Sequence, residues 1–321
     1  MENYMKLSNK KRVAVLLLVL ALLITSLVSC TGGSNEGADT VSVTDALGRC
    51  VSVPKEPSRV AALLGSFADV WVLSGGTLCA AADDAWDDFG LSLLDAVNIG
   101  GAHSPSLELL LSADPDLVLA SASTASNVNM RETLEDLGIC VIYFDVDNFY
   151  DYLEMLNVCT DITGRKDLYE QNGLAVKAQI DDIKAKYASA DVPESQRSVL
   201  LLRASSSAVK AKGSDGTVLG EMLADLGCVN IADTDASMLE SISVETVIRQ
   251  EPQYIFVVTM GSDTDAAKAS VERMMGESPA WASLDAIKNG RMYVMDKTLF
   301  NLKPNARWAQ AYGELYEILT K

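Results

Sequence analysis

The sequence predicts an α/β protein with two lobes, each built on a mainly parallel sheet, joined by one long helix. Short apolar runs alternate with helical patterns along the chain, as expected when parallel strands are connected through helices. The second half of the chain repeats the scheme of the first half. Between the halves, residues 165–190 contain strong helix formers and no proline. Each lobe is therefore expected to be Rossmann-like.

The N-terminus has the order of an export signal. A basic head at residues 6–12 precedes residues 13–24, which carry no polar side chain. That apolar core is shorter than the roughly 20 residues that a stable spanning helix requires. Leu-Val-Ser-Cys at 27–30 resembles the lipobox of bacterial lipoproteins, in which the cysteine, here Cys30, is lipidated and becomes the first residue after cleavage. An uncleaved membrane anchor with an incidental cysteine is the alternative.

The chain is expected to divide into five segments. They are a lipoprotein signal peptide at 1–29, a lipidated Cys30 and flexible tether at 30–42, an N-terminal lobe at 43–163, a linker helix at 164–190 and a C-terminal lobe at 191–321. A helix of about 25 residues is roughly 38 Å long. It can act as a stiff strut, whereas flexible linkers are rich in Gly and Ser.

Individual elements follow from apolar periodicity and turn residues. Residues 41–54 alternate around a Gly turn and predict a β-hairpin, and Ser66 is expected to cap a helix that Gly75-Gly76 ends. Helices are expected at 217–226 and, closing the chain, at 306–319. Buried strands are expected at 59–64, 78–82, 117–120, 141–144, 198–202, 254–258 and 291–295.

Composition excludes several functional classes. The chain has 44 Asp+Glu against 26 Lys+Arg and a net charge of −18, so it is not expected to bind nucleic acid, which requires clustered Lys and Arg. A single histidine, His103, argues against a multi-histidine zinc site. No nucleophile elbow is present, and Gly213–Thr217 lacks the lysine of a phosphate loop. The protein is therefore not expected to be an enzyme.

The six cysteines show no C-x-x-C spacing, so a metal knuckle or a redox pair has no support. Cys79, Cys140 and Cys228 lie beside apolar runs. Such cysteines often behave as small buried hydrophobes, and we favour free thiols over disulfides at these positions.

An internal repeat is the most informative feature. Ser106–Val118 aligns without gaps on Ser243–Ile255, and the offset places Glu108 on Glu245 (245 − 108 = 137). Each copy starts with a serine N-cap, has a glutamate in the first helical turn and ends in an acid-Pro stop before a strand. Favourable charge at a helix N-terminus explains one such glutamate. The same residue at the same place in both halves instead suggests a two-fold symmetric partner.

Several motifs in this order resemble the single-helix-linked solute-binding proteins of ABC importers, the family that serves ferric siderophores, haem and cobalamin. The resemblance extends over residues 43–320. It rests on Thr44–Pro54 followed by Pro57–Val60, Ser106–Val118, Gly213–Thr217 followed by Leu226–Asn230, and Pro279–Tyr293.

The resemblance implies a monomeric, bilobed binder without a cofactor that holds its ligand between the lobes and closes by a small motion. It also implies an extracytoplasmic protein, lipid-anchored through Cys30 to the outer face of the cytoplasmic membrane. Its partner would be an ABC permease dimer with ATPase subunits. Glu108 and Glu245 fall on the positions at which each lobe docks on an arginine pocket of one permease subunit.

The ligand is expected to lie at the strand ends that face the other lobe. Arg203 could pair with carboxylate or catecholate oxygens, and Trp86 and Phe300 could stack on a planar ligand. For each side chain the alternative is an ordinary structural role. The full set of candidate ligand-binding residues is Ser66, Phe67, Trp86, His103, Ser121, Ser123, Arg203, Ser205, Lys212, Met260 and Phe300.

A ferric siderophore is the first expectation for the transported ligand, ahead of haem and cobalamin or another corrinoid. His103 would be an axial ligand only if the ligand is haem, but Gly101 occupies the position where the resemblance leads us to expect an axial tyrosine. No residue is expected to bind a metal ion directly, because bare-cation sites need several His and carboxylate ligands. The acidic run 83–88 lacks the spacing of a calcium loop and is interpreted as a solvated rim.

Overall fold

The computed structural model describes residues 39–261 and 263–321, and residues 39–321 form one compact unit. The expectations for the signal peptide and for Cys30 lie outside the described residues. Within the described part of the chain, no helix is both long and apolar enough to cross a bilayer.

The first lobe is built on a five-stranded, wholly parallel sheet in the order β5-β4-β3-β6-β7. An antiparallel hairpin precedes this sheet. The strands are β1 (Thr40–Thr44), β2 (Cys50–Pro54), β3 (Val60–Ala62), β4 (Ala80–Ala81), β5 (Val97–Asn98), β6 (Leu117–Ser121) and β7 (Cys140–Phe144). The helices are α1 (Gly65–Leu73), α2 (Asp84–Asp87), α3 (Leu107–Ser112), α4 (Ala125–Asn129), α5 (Arg131–Asp136) and α6 (Phe149–Thr163).

The second lobe is built on a sheet in the order β10-β8-β11-β12, which is parallel apart from β9, paired antiparallel to β8. Its strands are β8 (Ser198–Ala204), β9 (Val209–Ala211), β10 (Val229–Asn230), β11 (Tyr254–Thr259) and β12 (Met292–Met295). Its helices, numbered after the two of the linker, are α9 (Val218–Asp225), α10 (Ile231–Thr234), α11 (Ser237–Glu240), α12 (Val244–Gln250), α13 (Thr264–Glu277), α14 (Asp285–Lys288), α15 (Lys297–Phe300) and α16 (Trp308–Leu319). Short 3₁₀ turns lie at Glu194–Gln196, Pro279–Ser283 and Asn305–Arg307.

The linker is helical throughout but is not one regular α-helix. It consists of α7 (Lys166–Tyr169), a π-helical turn (Glu170–Leu174) and α8 (Ala175–Ser189). Inside the π turn, the carbonyl of Asn172 accepts a hydrogen bond from the Tyr152 hydroxyl at 2.8 Å. Gly173 packs directly on α6, because a Cβ there would lie 2.7 Å from Leu153. The π turn thus accommodates a close helix contact.

The two faces of each sheet bury different apolar clusters, as expected for strands covered by helices on both sides. In β8, Val199 and Leu201 contribute to a large cluster shared by both lobes, whereas Leu200 and Leu202 contribute to a cluster of the second lobe. In β3, Val60 and Ala62 belong to the same shared cluster. Free cysteines also pack in these layers, as predicted, including half-buried Cys79 and Cys140 and buried Cys228.

Two local predictions need correction. Leu64, not Ser66, is the N-cap of α1, and Ser66 lies buried in its first turn. The flexible tether was predicted to end at residue 42. Strand β1 instead starts at Thr40, because Thr40–Thr44 pair with Cys50–Pro54. The hairpin turn then docks on β7, where Ala46 N–H donates to the Tyr143 carbonyl at 2.9 Å.

A second connection between the lobes lies near the C-terminus. Asn305 is fully buried and adopts a left-handed backbone conformation, with φ 54°. Its side-chain amide donates to the Ser66 carbonyl at 2.9 Å and to the Asp69 carboxylate at 2.8 Å, both in α1 of the first lobe. Trp308 follows and packs edge-on against Phe149 of α6. The chain therefore crosses back to the first lobe after completing the second sheet.

We expect Asn305→Ala to lower the free energy of unfolding by about 2–4 kcal/mol. The substitution removes two buried hydrogen bonds and leaves the Ser66 carbonyl and the Asp69 carboxylate without this donor. It also replaces asparagine, which tolerates the left-handed conformation, by alanine, which does so less well. Urea unfolding followed by circular dichroism would measure the change, with the exposed Asn289→Ala as the control. An effect no larger than that of the control would contradict the assigned role of Asn305.

Candidate functional site

The carboxyl ends of the strands in the two sheets face each other across an interlobe cleft. A cavity of about 490 Å³ opens there and receives residues from both lobes. This volume lies within the usual range for small-molecule sites, and strand ends are where α/β sheets place ligands. The lining residues are Asp83, Asp84, Asp87, Asp88, Gly101, Ala102, His103, Ser104, Met260, Gly261, Lys297, Asn301 and Leu302.

One side of the cleft is an acidic wall formed by Asp83, Asp84, Asp87 and Asp88, at and around α2. Burial is the main reason that the pKa of Asp84 rises to about 6, and the charges of Asp83 and Asp88 raise it further. The N–H of Gly65 donates to the Asp84 carboxylate at 2.8 Å and opposes the rise. Glycine is needed here, because a Cβ at residue 65 would lie 2.5 Å from the Ala85 nitrogen.

An ion pair spans the cleft at this wall. Lys297 Nζ lies 2.6 Å from the Asp88 carboxylate and 3.2 Å from the Gly261 carbonyl, to which it donates. Both charged side chains are largely shielded, with 17% and 19% exposure for Lys297 and Asp88. The pair therefore holds the first and second lobes together at one end of the cleft. Sequence reasoning identified neither partner as a lobe contact, because nothing local to either residue signals it.

Three half-buried cations, Arg203, Lys212 and Lys303, lie close enough for Arg203 to act on both lysines, and we call them the cation cluster. None of the three is among the residues that line the cavity. Arg203 and Lys212 were predicted to contact ligand, but Lys303 was not. Burial lowers the pKa of each of the three, and Arg203 adds to the lowering at both lysines. In the sequence, Lys303 is a single lysine before Pro304. That pattern is equally typical of an ordinary loop residue.

The other predicted ligand-binding residues line the cavity, have partners within their own lobe, or are buried in the core. His103 and Met260 belong to the first group and line the cavity. Trp86 is half-buried and packs against the shared apolar cluster, and Ser205 is used in the β8–β9 turn, where its hydroxyl donates to the Ala208 carbonyl at 3.1 Å.

Neither Phe67 nor Phe300, which were both predicted to contact ligand, lines the cavity in this structure. Both rings are 1% exposed and belong to the apolar core, where Phe67 packs edge-on against Phe144 at 6.1 Å. Apolar residues next to a strand end look alike in sequence whether they face the core or the cleft. Ser66 and Ser121 are also buried, and the Ser121 hydroxyl lies 3.0 Å from that of Ser123.

The glutamates of the internal repeat lie at matching positions. Glu108 and Glu245 are both exposed in the first turns of α3 and α12. The capping serines accept from the backbone N–H three residues later, each at 3.3 Å. Hydrogen bonds from its own backbone N–H and from the Ser243 hydroxyl lower the pKa of Glu245 and keep it ionised.

The repeat also extends to the backbone after each helix. Asp114 has φ 50° and Glu251 has φ 46°, both left-handed, at the same offset as the glutamates (251 − 114 = 137). The chain thus leaves the two helices with the same turn before entering a strand. This correspondence shows that the aligned segments share conformation as well as residues.

A second cavity, of about 340 Å³, lies between α8, α9 and α16 and the start of α6. Four of its five charged lining residues form two ion pairs, and Glu221 accepts from the Gly216 N–H at 3.3 Å. Lys184 contacts the Asp225 carboxylate at 2.5 Å, Tyr312 donates to the same carboxylate at 2.8 Å, and Lys177 pairs with Asp181 at 2.6 Å. The interlobe cavity, which is the larger of the two and receives residues from both lobes, is therefore the better candidate site.

Asp84→Asn is expected to stabilise the protein at pH 7.5 by up to about 3 kcal/mol and to have little effect near pH 4. The folded-state pKa of about 6 lies above the ordinary 3.8, so the folded protein loses stability as the pH rises between these values. Asparagine can still accept from Gly65 but carries no charge. Urea unfolding at both pH values would measure the difference, with exposed Asp87→Asn as the control. If Asp84→Asn changed the free energy of unfolding equally at both pH values, the raised pKa of Asp84 would be contradicted.

Comparison with known proteins agrees with the two-lobed α/β fold. A family profile described as "Periplasmic binding protein" matches residues 60–299. The Fe(3+)-citrate-binding protein YfmC of Bacillus subtilis (strain 168) is 26% identical over 305 residues, which are 90% of this chain and 90% of the relative. The putative ABC transporter substrate-binding lipoprotein YhfQ of the same organism is 23% identical over 319 residues, 94% of this chain and 95% of the relative.

A solved structure shows the same fold. Staphylococcus aureus SirA complexed with staphyloferrin B matches with a TM-score of 0.68 at 20% identity, covering 87% of this chain and 98% of that chain. This likeness confirms the predicted pair of lobes with mainly parallel sheets. Since the family profile covers more than half of the sequence, the chain belongs to the periplasmic binding protein family.

Proposed function

We propose that this protein is the substrate-binding lipoprotein of an ABC importer. It captures a metal chelate, most simply a ferric siderophore, between its two lobes and delivers it to a membrane permease dimer with its ATPase subunits. The observation that carries the proposal is the cavity of about 490 Å³ at the facing strand ends, lined by both lobes. Family membership supports a binding protein rather than an enzyme.

The names of the relatives support a ferric chelate as the ligand. YfmC is named for Fe(3+)-citrate, and another Bacillus subtilis relative, FhuD, is named for iron(3+)-hydroxamate. SirA is solved with staphyloferrin B. Haem is the second candidate, because His103 is exposed in the lining of the cavity, where an imidazole could reach the iron of a bound haem. Staphylococcus aureus IsdE is a structural neighbour solved with haem.

Delivery is proposed to depend on Glu108 and Glu245. Both carboxylates are exposed on the first turn of a serine-capped helix, one on each lobe. Two identical permease subunits would present two equivalent basic pockets, and a pair of equivalent glutamates fits that symmetry. A charge-assisted hydrogen bond contributes about 1.5–3 kcal/mol, so two contacts orient the docked protein and still permit its release.

The proposed location is the outer face of the cytoplasmic membrane, with the protein attached through lipid on Cys30. The order of the basic head, apolar core and lipobox supports this location, and YhfQ is named as a lipoprotein. A monomer is proposed, because the two docking glutamates of one chain already match a permease dimer.

Binding and uptake measured in parallel would test the proposal. Purified protein is titrated with ferric citrate, ferrichrome, a ferric catecholate, haem and cobalamin while tryptophan fluorescence and the visible spectrum are recorded. Cells carrying the cognate permease are then supplied with the iron-55 or cobalt-57 form of the bound compound. We expect Glu108→Ala combined with Glu245→Ala to leave the binding curve unchanged and to reduce uptake at least tenfold, because only docking is lost.

A matched control combines Glu132→Ala with Glu240→Ala, which are also exposed glutamates in first helical turns, one in each lobe. Neither residue has a glutamate 137 positions away in the other lobe, so uptake is expected to stay normal. Normal uptake by the Glu108 and Glu245 double variant would contradict the docking role. Failure of the wild-type protein to bind any compound in the panel would contradict the proposed function, and a Soret shift lost in His103→Ala would favour haem.

A further inference from the structure

We propose that Lys297 and Asp88 form a releasable latch, which holds the two lobes together beside the interlobe cavity and sets the rate at which ligand enters and leaves. The inference rests on the proposed function for its ligand, but the latch can also be tested on the protein alone. The observation that carries it is an ion pair between the lobes whose two partners both line the cavity.

The Lys297–Asp88 pair differs in position from the other ion pairs of the described residues. Each of those lies within one lobe or has a partner in residues 164–190. Lys297 and Asp88 instead belong to different lobes, and both side chains are largely shielded from solvent. Because opposite charges attract more strongly where water is partly excluded, this pair resists separation of the lobes.

Lys297 is mounted on a rigid part of the second lobe. It is the first residue of α15. The N-cap Asp296 accepts hydrogen bonds from the N–H groups of Thr298 and Leu299, at 2.7 and 3.2 Å. Phe300, at the other end of this short helix, is buried in the apolar core. The backbone that carries the lysine is therefore fixed at both ends of α15.

Asp88 is mounted in a similar way on the first lobe. It directly follows α2, and its N–H donates to the Asp84 carbonyl at 3.0 Å. The Asp84 carboxylate in turn accepts from the N–H of Gly65, the first residue of α1, at 2.8 Å. Since neither backbone moves freely within its own lobe, separation of the lobes must lengthen the distance between Lys297 Nζ and the Asp88 carboxylate.

The latch can open more easily than the other polar link between the lobes. Asn305, which donates to α1, is fully buried, so that breaking its hydrogen bonds exposes buried groups. Lys297 and Asp88 are partly exposed in the wall of the cavity, where water can hydrate each charge after separation. Lys297 also keeps the Gly261 carbonyl of its own lobe as an acceptor, at 3.2 Å. The lobes are therefore expected to part at the latch while Asn305 and the linker stay in place.

A latch of this kind changes rates more than affinity. Ligand enters and leaves while the lobes are apart at this end of the cavity. Because both partners belong to the protein, the pair stabilises the closed lobes with and without ligand. Its loss raises the population of the open state by the same factor in both cases. Association and dissociation then accelerate together, and Kd stays nearly the same.

Hydrogen–deuterium exchange of the ligand-free, full-length protein in detergent tests the latch itself. We expect Asp88→Ala and Lys297→Met each to speed exchange at residues 84–90 and 297–302 by about threefold or more, because both segments gain freedom when the pair is lost. The core strands β6 and β8 should exchange as in the wild type, which separates local opening from general destabilisation. Unchanged exchange at both segments in both variants would overturn the inference.

Stopped-flow tryptophan fluorescence tests the effect on ligand exchange. The probe is the compound that binds among ferric citrate, ferrichrome, a ferric catecholate, haem and cobalamin. Asp88→Ala and Lys297→Met should each raise both the association and the dissociation rate constant about tenfold and change Kd by less than about threefold. The double variant should be no faster than the faster single variant, because the two residues act as one pair.

A matched control removes an ion pair that does not join the lobes. Lys288 Nζ lies 3.2 Å from the Asp285 carboxylate within α14 of the second lobe. Lys288→Met and Asp285→Ala carry the same changes in charge as the latch variants. They should bind and release the ligand at the wild-type rates.

The outcomes distinguish the latch from a direct contact with ligand. A rise in the dissociation rate alone, with weaker affinity, would show that the pair holds the ligand rather than the lobes and would overturn the inference. Unchanged rates in both variants would also overturn it. Either result leaves the proposed function standing. Failure of the wild-type protein to bind any compound in the panel would overturn the proposed function, while the exchange measurement would still decide whether the latch exists.

Discussion

The site depends on the return of the chain to the first lobe at Asn305. The second sheet is complete at β12, yet Asn305 donates two hydrogen bonds to α1, and Trp308 packs on Phe149. Together with the helical linker, this return gives two covalent crossings between the lobes. Two crossings limit how the lobes can move, so the strand ends of both sheets stay opposed across one cleft. A left-handed φ at a fully buried residue persists only where the surroundings hold it.

The cavity that results is acidic along one side. The acidic wall lies on the first lobe, and Arg203, Lys212 and Lys303 come from the second lobe and the segment that follows it. Among the residues that line the cavity, Lys297 of the second lobe pairs with Asp88 of the acidic wall. A ligand that meets the acidic wall is therefore selected by charge as well as by shape, whereas an apolar cleft would select by shape alone.

Much of the fold could be predicted because its signals are local. Alternating apolar residues identified the hairpin, short apolar runs identified most of the buried strands, and the serine, glutamate and acid-Pro pattern identified α3 and α12 together with their strands. Glu108 and Glu245 stood out because a repeat compares the sequence with itself. The π turn at Glu170–Leu174 could not be predicted, since it arises from the distant contacts of Tyr152 and Gly173 with their neighbours.

The cleft was less predictable than the lobes for the same reason. His103 and Met260 line the cavity, as their places in the sequence suggested, because Met260 directly follows a strand and His103 precedes a helix at the facing edge. Their contact with a ligand stays a prediction. Phe67 and Phe300 obey the same rule but turn into the core, and periodicity cannot distinguish these directions at a strand end. Asp88 acquires its role from Lys297, which lies 209 positions away in sequence (297 − 88 = 209), so no spacing rule reveals the pair.

The most direct measurement of the central claim is hydrogen–deuterium exchange with and without the ferric chelate that binds. The account predicts protection of residues 100–104, 203–212 and 301–305, from both lobes, and no change at 177–184 and 221–225. Protection confined to the second cavity, around Lys177, Lys184 and Glu221, would show that the ligand binds outside the interlobe cleft and would contradict the account.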